Sequence, residues 1–351
     1  MSWVQELARP DIVALKPYEH ASWEPSLERL HANELPWRPA DDDSRAGLNR
    51  YPEPQPRALV ACLAQLYAVT PGSLLVGRGS DEAIDLLTRA FCRAGCDAVL
   101  VCPPTFGMYS VSARIQGATV LQVPLLAADG FALDEQALLD RCTSTVKLIF
   151  LCSPNNPTGN LLDEAAILRL ARRLAGRALV VIDEAYIEFA TRPSLARRVA
   201  ELPNLAILRT LSKAHGLAGA RCGALIADPE IIALLRKIIP PYAIPQLTLE
   251  AVLDRLTPEA RAASRARLEM LLAERERLAR ALPRLTGITR IWPSAANFVL
   301  AEFADAGAAL ARARAARLLV RDARGYPGLG RALRITVGTP EQNGRLLEAW
   351  S

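Results

Sequence analysis

The sequence predicts an α/β fold, with a large domain on a mostly parallel central sheet and a smaller α+β domain after it. Three observations carry this. Short, continuously apolar runs alternate with helix-like patterns through the middle of the chain, as strands do when both faces of their sheet are covered by helices. The alternation ends at a proline-rich break, Pro240-Pro241-Tyr242-Ala243-Ile244-Pro245. A chain of 351 residues with 51% apolar content is long enough to bury two cores.

Residues 1–45 hold many Pro and Trp and show little periodicity, so they read as an arm and linker that joins the C-terminal domain or crosses to a partner. Residues 46–245 form the expected large domain. Its strand candidates are Leu74 to Val76, Ala98 to Val101, Thr119 to Val123, Val146 to Leu151, Leu179 to Ile182, Leu205 to Leu208 and Ala224 to Ala227. Helix patterns lie between many of them, at Asp81 to Ala94, Asp163 to Leu174 and Ser194 to Val199. Residues 246–351 form the smaller domain. A long helix pattern from Pro258 to Leu282 is followed by strand-like Phe298 to Leu300 and Leu333 to Val337, which flank a helix from Ala304 to Arg317. The Ala/Arg-rich stretches are ordinary helix formers.

The net charge of +5 is mild, and the arginines are spread over helices where a solvated face explains them, so nucleic acid is not an expected partner. The seven cysteines form no CxxC pair and several end apolar runs, which suits small buried hydrophobes in a reducing compartment. His20, His31 and His215 do not match ligand spacing and read as structural or incidental, so no metal is expected. With no signal-peptide core and no run of eighteen apolar residues, a cytoplasmic protein that avoids the membrane is expected.

In open parallel sheets, ligands bind beyond the carboxyl ends of the strands, so the polar residues there matter most. The strand Leu205 to Leu208 runs into Arg209-Thr210-Leu211-Ser212-Lys213-Ala214-His215-Gly216, with Arg221 eight positions after the lysine. A lone loop lysine is usually a solvated charge. This one is flanked by hydroxyls and a cation, which suits an amine that must lose its proton to form an imine. Thr210, Ser212 and Arg221 make a plausible phosphate cradle beside it. The strand Leu179 to Ile182 ends in Asp183-Glu184-Ala185-Tyr186. An acid there is costly to bury unpaired; a protonated ring nitrogen would pair with it, while the plainer reading is a helix N-cap. After Val146 to Leu151 come Asn155, Asn156, Pro157, Thr158 and Gly159, at least a turn. Gly79-Ser80-Asp81 opens a helix whose free amides suit a phosphate, although Asp81 is equally an ordinary first-turn acid. Phe106, after another strand, is placed to stack on a flat ring or simply to fill the core.

Taken together and in this order, these segments resemble the fold-type I pyridoxal-5′-phosphate (PLP) aminotransferases over nearly the whole chain. Leu48-Asn49-Arg50-Tyr51-Pro52-Glu53-Pro54, Arg321-Asp322 and Leu333-Arg334-Ile335-Thr336-Val337-Gly338-Thr339 narrow the likeness to the histidinol-phosphate branch. The resemblance implies a PLP-dependent transferase fold of type I. It implies that Lys213 carries the cofactor as a Schiff base and shuttles the proton, with histidinol phosphate and glutamate/2-oxoglutarate as substrates in two half-reactions. It places Asp183 on the pyridine nitrogen, Asn156 and Tyr186 on the phenolate oxygen, and Phe106 against the ring. Gly79, Ser80, Thr210, Ser212 and Arg221 hold the cofactor phosphate, with Asp81 beside it. Tyr51 reaches the phosphate in the neighbouring subunit of a homodimer. Arg334 grips the substrate anion, Arg321 and Tyr18 assist with the substrate phosphate, and Asn33 and Asn297 line the substrate side.

The chain departs from that pattern at Ala32 to Trp37, at Ala323 to Tyr326, and at His215, a position often aromatic. Three rivals share features of the pattern: a threonine-phosphate decarboxylase, an aromatic aminotransferase, and a PLP-sensing regulator. The last would need an added DNA-binding helical domain, for which residues 1–45 show no helix-turn-helix pattern.

Overall fold

The structure, a computed structural model, describes residues 2–21, 24 and 27–351. Residues 1, 22, 23, 25 and 26 of the expected arm lie outside the described residues. Seven strands form the larger sheet: β1 (Leu74–Gly77), β2 (Ala98–Val101), β3 (Thr119–Gln122), β4 (Val146–Cys152), β5 (Leu179–Asp183), β6 (Leu205–Thr210) and β7 (Gly223–Ile226). Their order is β1-β7-β6-β5-β4-β2-β3, and only β7 runs against the rest.

Successive residues of β4 alternate between two cores: Ile149 and Leu151 pack on one face, Leu148, Phe150 and Cys152 on the other. Both faces are apolar because helices cover both. Arg57–Tyr67 and Glu164–Arg173 lie on the first side, Ser80–Phe91, Met108–Gln116 and Pro229–Arg236 on the second. Residues 2–14, which show no periodicity in the sequence, contain two short helices, Trp3–Leu7 and Pro10–Ala14. Val4 and Leu7 anchor the first of them in the second core. The expected helix at Ser194 is a 3-10 helix, Leu195–Ala200, capped by the Ser194 side chain.

After the proline-rich break, the helices Gln246–Arg255 and Pro258–Ala281 lead to a four-stranded antiparallel sheet: β8 (Ile288–Trp292), β9 (Phe298–Phe303), β10 (Arg321–Asp322) and β11 (Ala332–Thr336), in the order β10-β11-β9-β8. Leu278 of the long helix, Ala309 and Ala313 of Ala306–Ala315, and Leu346 and Trp350 of Pro340–Trp350 pack on it. Among the described residues no helix is long and apolar enough to cross a membrane.

Candidate active site

The carboxyl ends of β4, β5 and β6 lie side by side, because Cys152 pairs with Asp183 and Asp183 with Leu208 in the ladder. Thr210 and Gly77 both pair with Gly223, which brings the ends of β6 and β1 and the segment before β7 to the same edge. Strand pairing therefore gathers residues from Ser80 to Arg221 around a cavity of about 140 Å³.

At one end of this cavity stand Ser80, Thr210, Ser212 and Arg221. The Thr210 hydroxyl donates to Ser212 Oγ at 3.0 Å, and Arg221 Nη1 donates to the same oxygen at 3.3 Å. Arg221 Nη2 is 3.3 Å from Asp81 Oδ2, so Asp81 sets the guanidinium from the first turn of the helix Ser80–Phe91. Two glycines make this packing possible. Gly79 has φ +87°, and a Cβ there would stand 2.8 Å from Arg221 Nη2; a Cβ on Gly223 would stand 2.7 Å from the backbone of Gly79 and Ser80. Hydroxyls, helix N–H groups and a guanidinium at one point form a site for a dianion.

At the other end Asp183 is buried, and burial pushes its carboxyl up to about 6 against the hydrogen bonds that favour its charge. Tyr109 donates to Oδ2 at 2.7 Å and the Ala185 N–H donates to Oδ1 at 3.0 Å. Asp183 caps no helix; the next one, the 3-10 helix Ile187–Phe189, has Tyr186 at its N-cap. Tyr109 is a partner that the sequence did not reveal, because an aromatic in the first turn of a helix looks like ordinary core. Lys213 lines the cavity between the two ends. Burial, then the charges of Arg334 and Arg221, pull its ammonium below the usual range, opposed by Asp81 and Asp183. Phe106 and Tyr186 also line the cavity, and Phe106 meets Tyr109 edge-on at 5.6 Å.

The Asn155-Asn156 turn divides its labour. Asn155 closes it, donating to Pro104 O at 2.8 Å and Thr158 Oγ1 at 2.6 Å while accepting from Thr105 Oγ1 at 2.9 Å. Asn156 is thereby left facing the cavity, and its Oδ1 accepts from Arg334 of β11. Arg334 so reaches from the smaller sheet into the edge of the larger one. Among the described residues no carboxylate lies within ion-pair distance of it. Asp322, the sequence neighbour of Arg321, binds Arg324 at 2.7 Å. Arg321 pairs in register with Arg334.

Asn297 is half-buried beside these strands, its carbonyl accepting from the Val337 N–H at 2.9 Å. Tyr18, Asn33 and Tyr51 do not line the cavity. Asn33 is exposed with φ +55°. Tyr51 stacks on Tyr242 at 4.6 Å, and Tyr18 meets Tyr242 through His20, so that exposed Tyr18, His20 and Tyr51 gather around half-buried Tyr242.

The family model for aminotransferase class I and II matches residues 30–349. A histidinol-phosphate aminotransferase of Stenotrophomonas maltophilia (strain R551-3) is 51% identical over 99% of this chain and 96% of its own. The crystal structure of the histidinol-phosphate aminotransferase from Clostridium acetobutylicum shares the fold, with a TM-score of 0.79 at 22% identity over 86% of this chain and 90% of that one. That of Sinorhizobium meliloti, solved in complex with pyridoxal-5′-phosphate, superimposes with a TM-score of 0.76 at 25% identity, covering 86% of this chain and 82% of that one.

Proposed function

The chain belongs to the class I and II aminotransferases, and from that premise we propose that it moves the amino group of L-histidinol phosphate to 2-oxoglutarate, giving imidazole-acetol phosphate and L-glutamate in histidine biosynthesis. One observation carries the substrate: β10 and β11 set Arg321 directly opposite Arg334. Residues so paired project from the same face with Cβ atoms about 4.5–5.5 Å apart. Two adjacent guanidiniums suit a phosphate dianion, and the Arg334 fork serves the glutamate carboxylate in the other half-reaction.

The cavity fits pyridoxal-5′-phosphate. Asp183 is a buried carboxylate without a cationic side chain in contact among the described residues, and the ring nitrogen supplies that cation. The hydroxyl, amide and guanidinium cradle around Ser80 and Arg221 suits the phosphate. When bound, the cofactor supplies a ring that accepts the electron pair of the substrate Cα. Asp183, oriented by Tyr109, holds the proton at the ring nitrogen. Asn156 and Tyr186 bind the phenolate oxygen, and Phe106 packs against the ring. Lys213 Nζ would be the attachment point; once the substrate amine has displaced it, its free amine, kept neutral more readily by burial and Arg334, would take the proton from the substrate Cα and deliver it to the cofactor carbon that had carried the lysine.

The working unit is a homodimer in the cytoplasm. Residues 46–245 serve as its cofactor domain, 246–351 as the smaller domain and 1–45 as the arm. Tyr51, 49% exposed and away from its own chain's cavity, serves the partner's cofactor phosphate. Exposed Leu30, Leu35 and Trp37 of the arm supply apolar surface for that contact. Tyr18 and Asn33 act on the substrate side of the same shared site, where Asn297 also lies.

The test offers histidinol phosphate, phenylalanine and threonine phosphate to the PLP form of the parent and of Arg321→Ala. The parent should prefer histidinol phosphate. Arg321→Ala should lose on the order of 10- to 100-fold in kcat/KM on it, the worth of a charged hydrogen bond, and far less on phenylalanine. Equal losses on both donors would favour an aromatic aminotransferase, and carbon dioxide release from threonine phosphate would favour a decarboxylase.

A further inference from the structure

Flanking Lys213 in sequence, and outside the cavity lining, lies an ionic cluster that the transamination chemistry does not use. Glu184 and Arg209 are buried, with side chains 1% and 7% exposed; Glu188 and His215 are nearly so, at 16% and 14%. Glu184 is committed to the start of the 3-10 helix Leu195–Ala200, accepting from the Leu195 N–H at 2.8 Å and from the Ser194 hydroxyl. It lies 3.8 Å from Arg209 Nη1. Arg209 in turn sits 4.4 Å over the Tyr67 ring.

Glu188 does something different. Its Oε1 accepts from Arg209 Nη2 at 2.7 Å and stands 3.6 Å from His215 Nε2. Arg209 is four residues before Lys213 and His215 is two residues after it. One carboxylate oxygen therefore grips the chain on both sides of the lysine. His215 also sits inside the turn that presents Lys213, since the Gly216 N–H donates to Lys213 O at 3.1 Å and Gly216 takes φ +67°. Glu188 itself lies in the 3-10 helix Ile187–Phe189, directly after Asp183 and Tyr186. The clamp thus ties the segment that holds the ring nitrogen to the segment that carries the amine. Burial opposes ionisation of Glu188, but Arg209 and His215 outweigh it and hold the carboxyl below its usual range.

We propose that His215, acting through Glu188, is a positioning residue that fixes the Lys213 turn for cofactor capture. An aromatic side chain at position 215 would fill the space, but it would leave Glu188 without the polar imidazole that stands 3.6 Å from it. This inference rests on the PLP reading above, and its test separates the two.

The experiment uses the full-length protein, stripped of cofactor and then mixed with pyridoxal-5′-phosphate. It follows the rate at which the absorbance band of lysine-bound cofactor appears, the cofactor dissociation constant, and the melting temperature of the cofactor-free protein. His215→Phe keeps the bulk and removes the donor; His215→Gln keeps a donor. We expect His215→Phe to capture cofactor more slowly and bind it more weakly, by about tenfold for the loss of a nearly buried polar contact to a carboxylate, and His215→Gln to recover most of that. Both cofactor-free variants should melt with the parent. Parent-like capture by His215→Phe would overturn the proposal. So would equal impairment of the Phe and Gln variants, or a defect matched by a fall in melting temperature that Gln does not repair. Failure of the parent to develop the band would instead overturn the PLP reading.

Discussion

Asp183 is a carboxylate pushed up to about 6 by burial, and its donors are Tyr109 and the Ala185 amide. In the unfolded chain an aspartate titrates near 3.9. A folded pKa above the unfolded one means that the neutral acid is the form the cofactor-free fold prefers. The stability it contributes is complete below about pH 4 and lost as pH rises through about 6. Asp183→Asn keeps the shape without the charge, so the cofactor-free variant should melt above the parent at pH 7.5, by at most about 3 kcal/mol of stability. The two curves should meet near pH 4. The same variant should lose at least about 10³-fold in turnover with cofactor present, because nothing then holds the ring-nitrogen proton. Identical melting at both pH values would contradict the assignment. Asp183 was legible in the sequence because an acid at the end of an apolar strand is an anomaly that demands a partner, and Lys213 because hydroxyls and Arg221 flank it. Tyr109 and Asn155 were not, because their partners lie 74 and 50 residues away and only the folded sheet brings them together.

The strands of the larger sheet were legible because burial on both faces leaves short unbroken apolar runs. The helix Met108–Gln116 was not, since what it buries is Tyr109, Ser112 and Ala113 and not an aliphatic stripe. The two-residue strand β10 gives no periodicity at all, yet its pairing with β11 sets Arg321 opposite Arg334. Register governs the other end of the cavity as well. Gly223 sits between Gly77 and Thr210 in the ladder, against the backbone that opens the helix at Ser80. Gly223→Ala should push that helix start away from Arg221. Cofactor affinity should fall on the order of tenfold or more while the protein still folds, since overpacking of this kind costs about 1–3 kcal/mol. Equilibrium titration of the cofactor-free variant gives the number, and unchanged affinity would show that the cradle tolerates the added methyl.

At the scale of the whole molecule, the larger sheet supplies the cavity and the smaller sheet supplies Arg334 and Arg321. The aromatic row of Tyr18, His20, Tyr242 and Tyr51 does not line that cavity. In a dimer with shared sites, Tyr51→Phe and Lys213→Ala subunits lack different halves of a site. Mixing them should restore one intact site per mixed dimer, so that random exchange returns roughly a quarter of parental activity. A mixture no more active than the average of its two components would place Tyr51 outside the partner's site. The halves of the chain that meet in one subunit follow from strand order, whereas the arm shows no pattern of its own: its two short helices are set by the core that Val4 and Leu7 enter.

The most direct measurement is chemical. The chain has only four lysines, Lys16, Lys147, Lys213 and Lys237. Lys147 lies 4.0 Å from Asp97, and Lys237 donates to the Val13 carbonyl at 2.6 Å. Borohydride reduction of the cofactor-loaded protein, followed by peptide mapping, should find one pyridoxyl group per chain, on Lys213. A pyridoxyl group on any of the other three lysines, with Lys213 unmodified, would contradict the assignment on which the whole account rests.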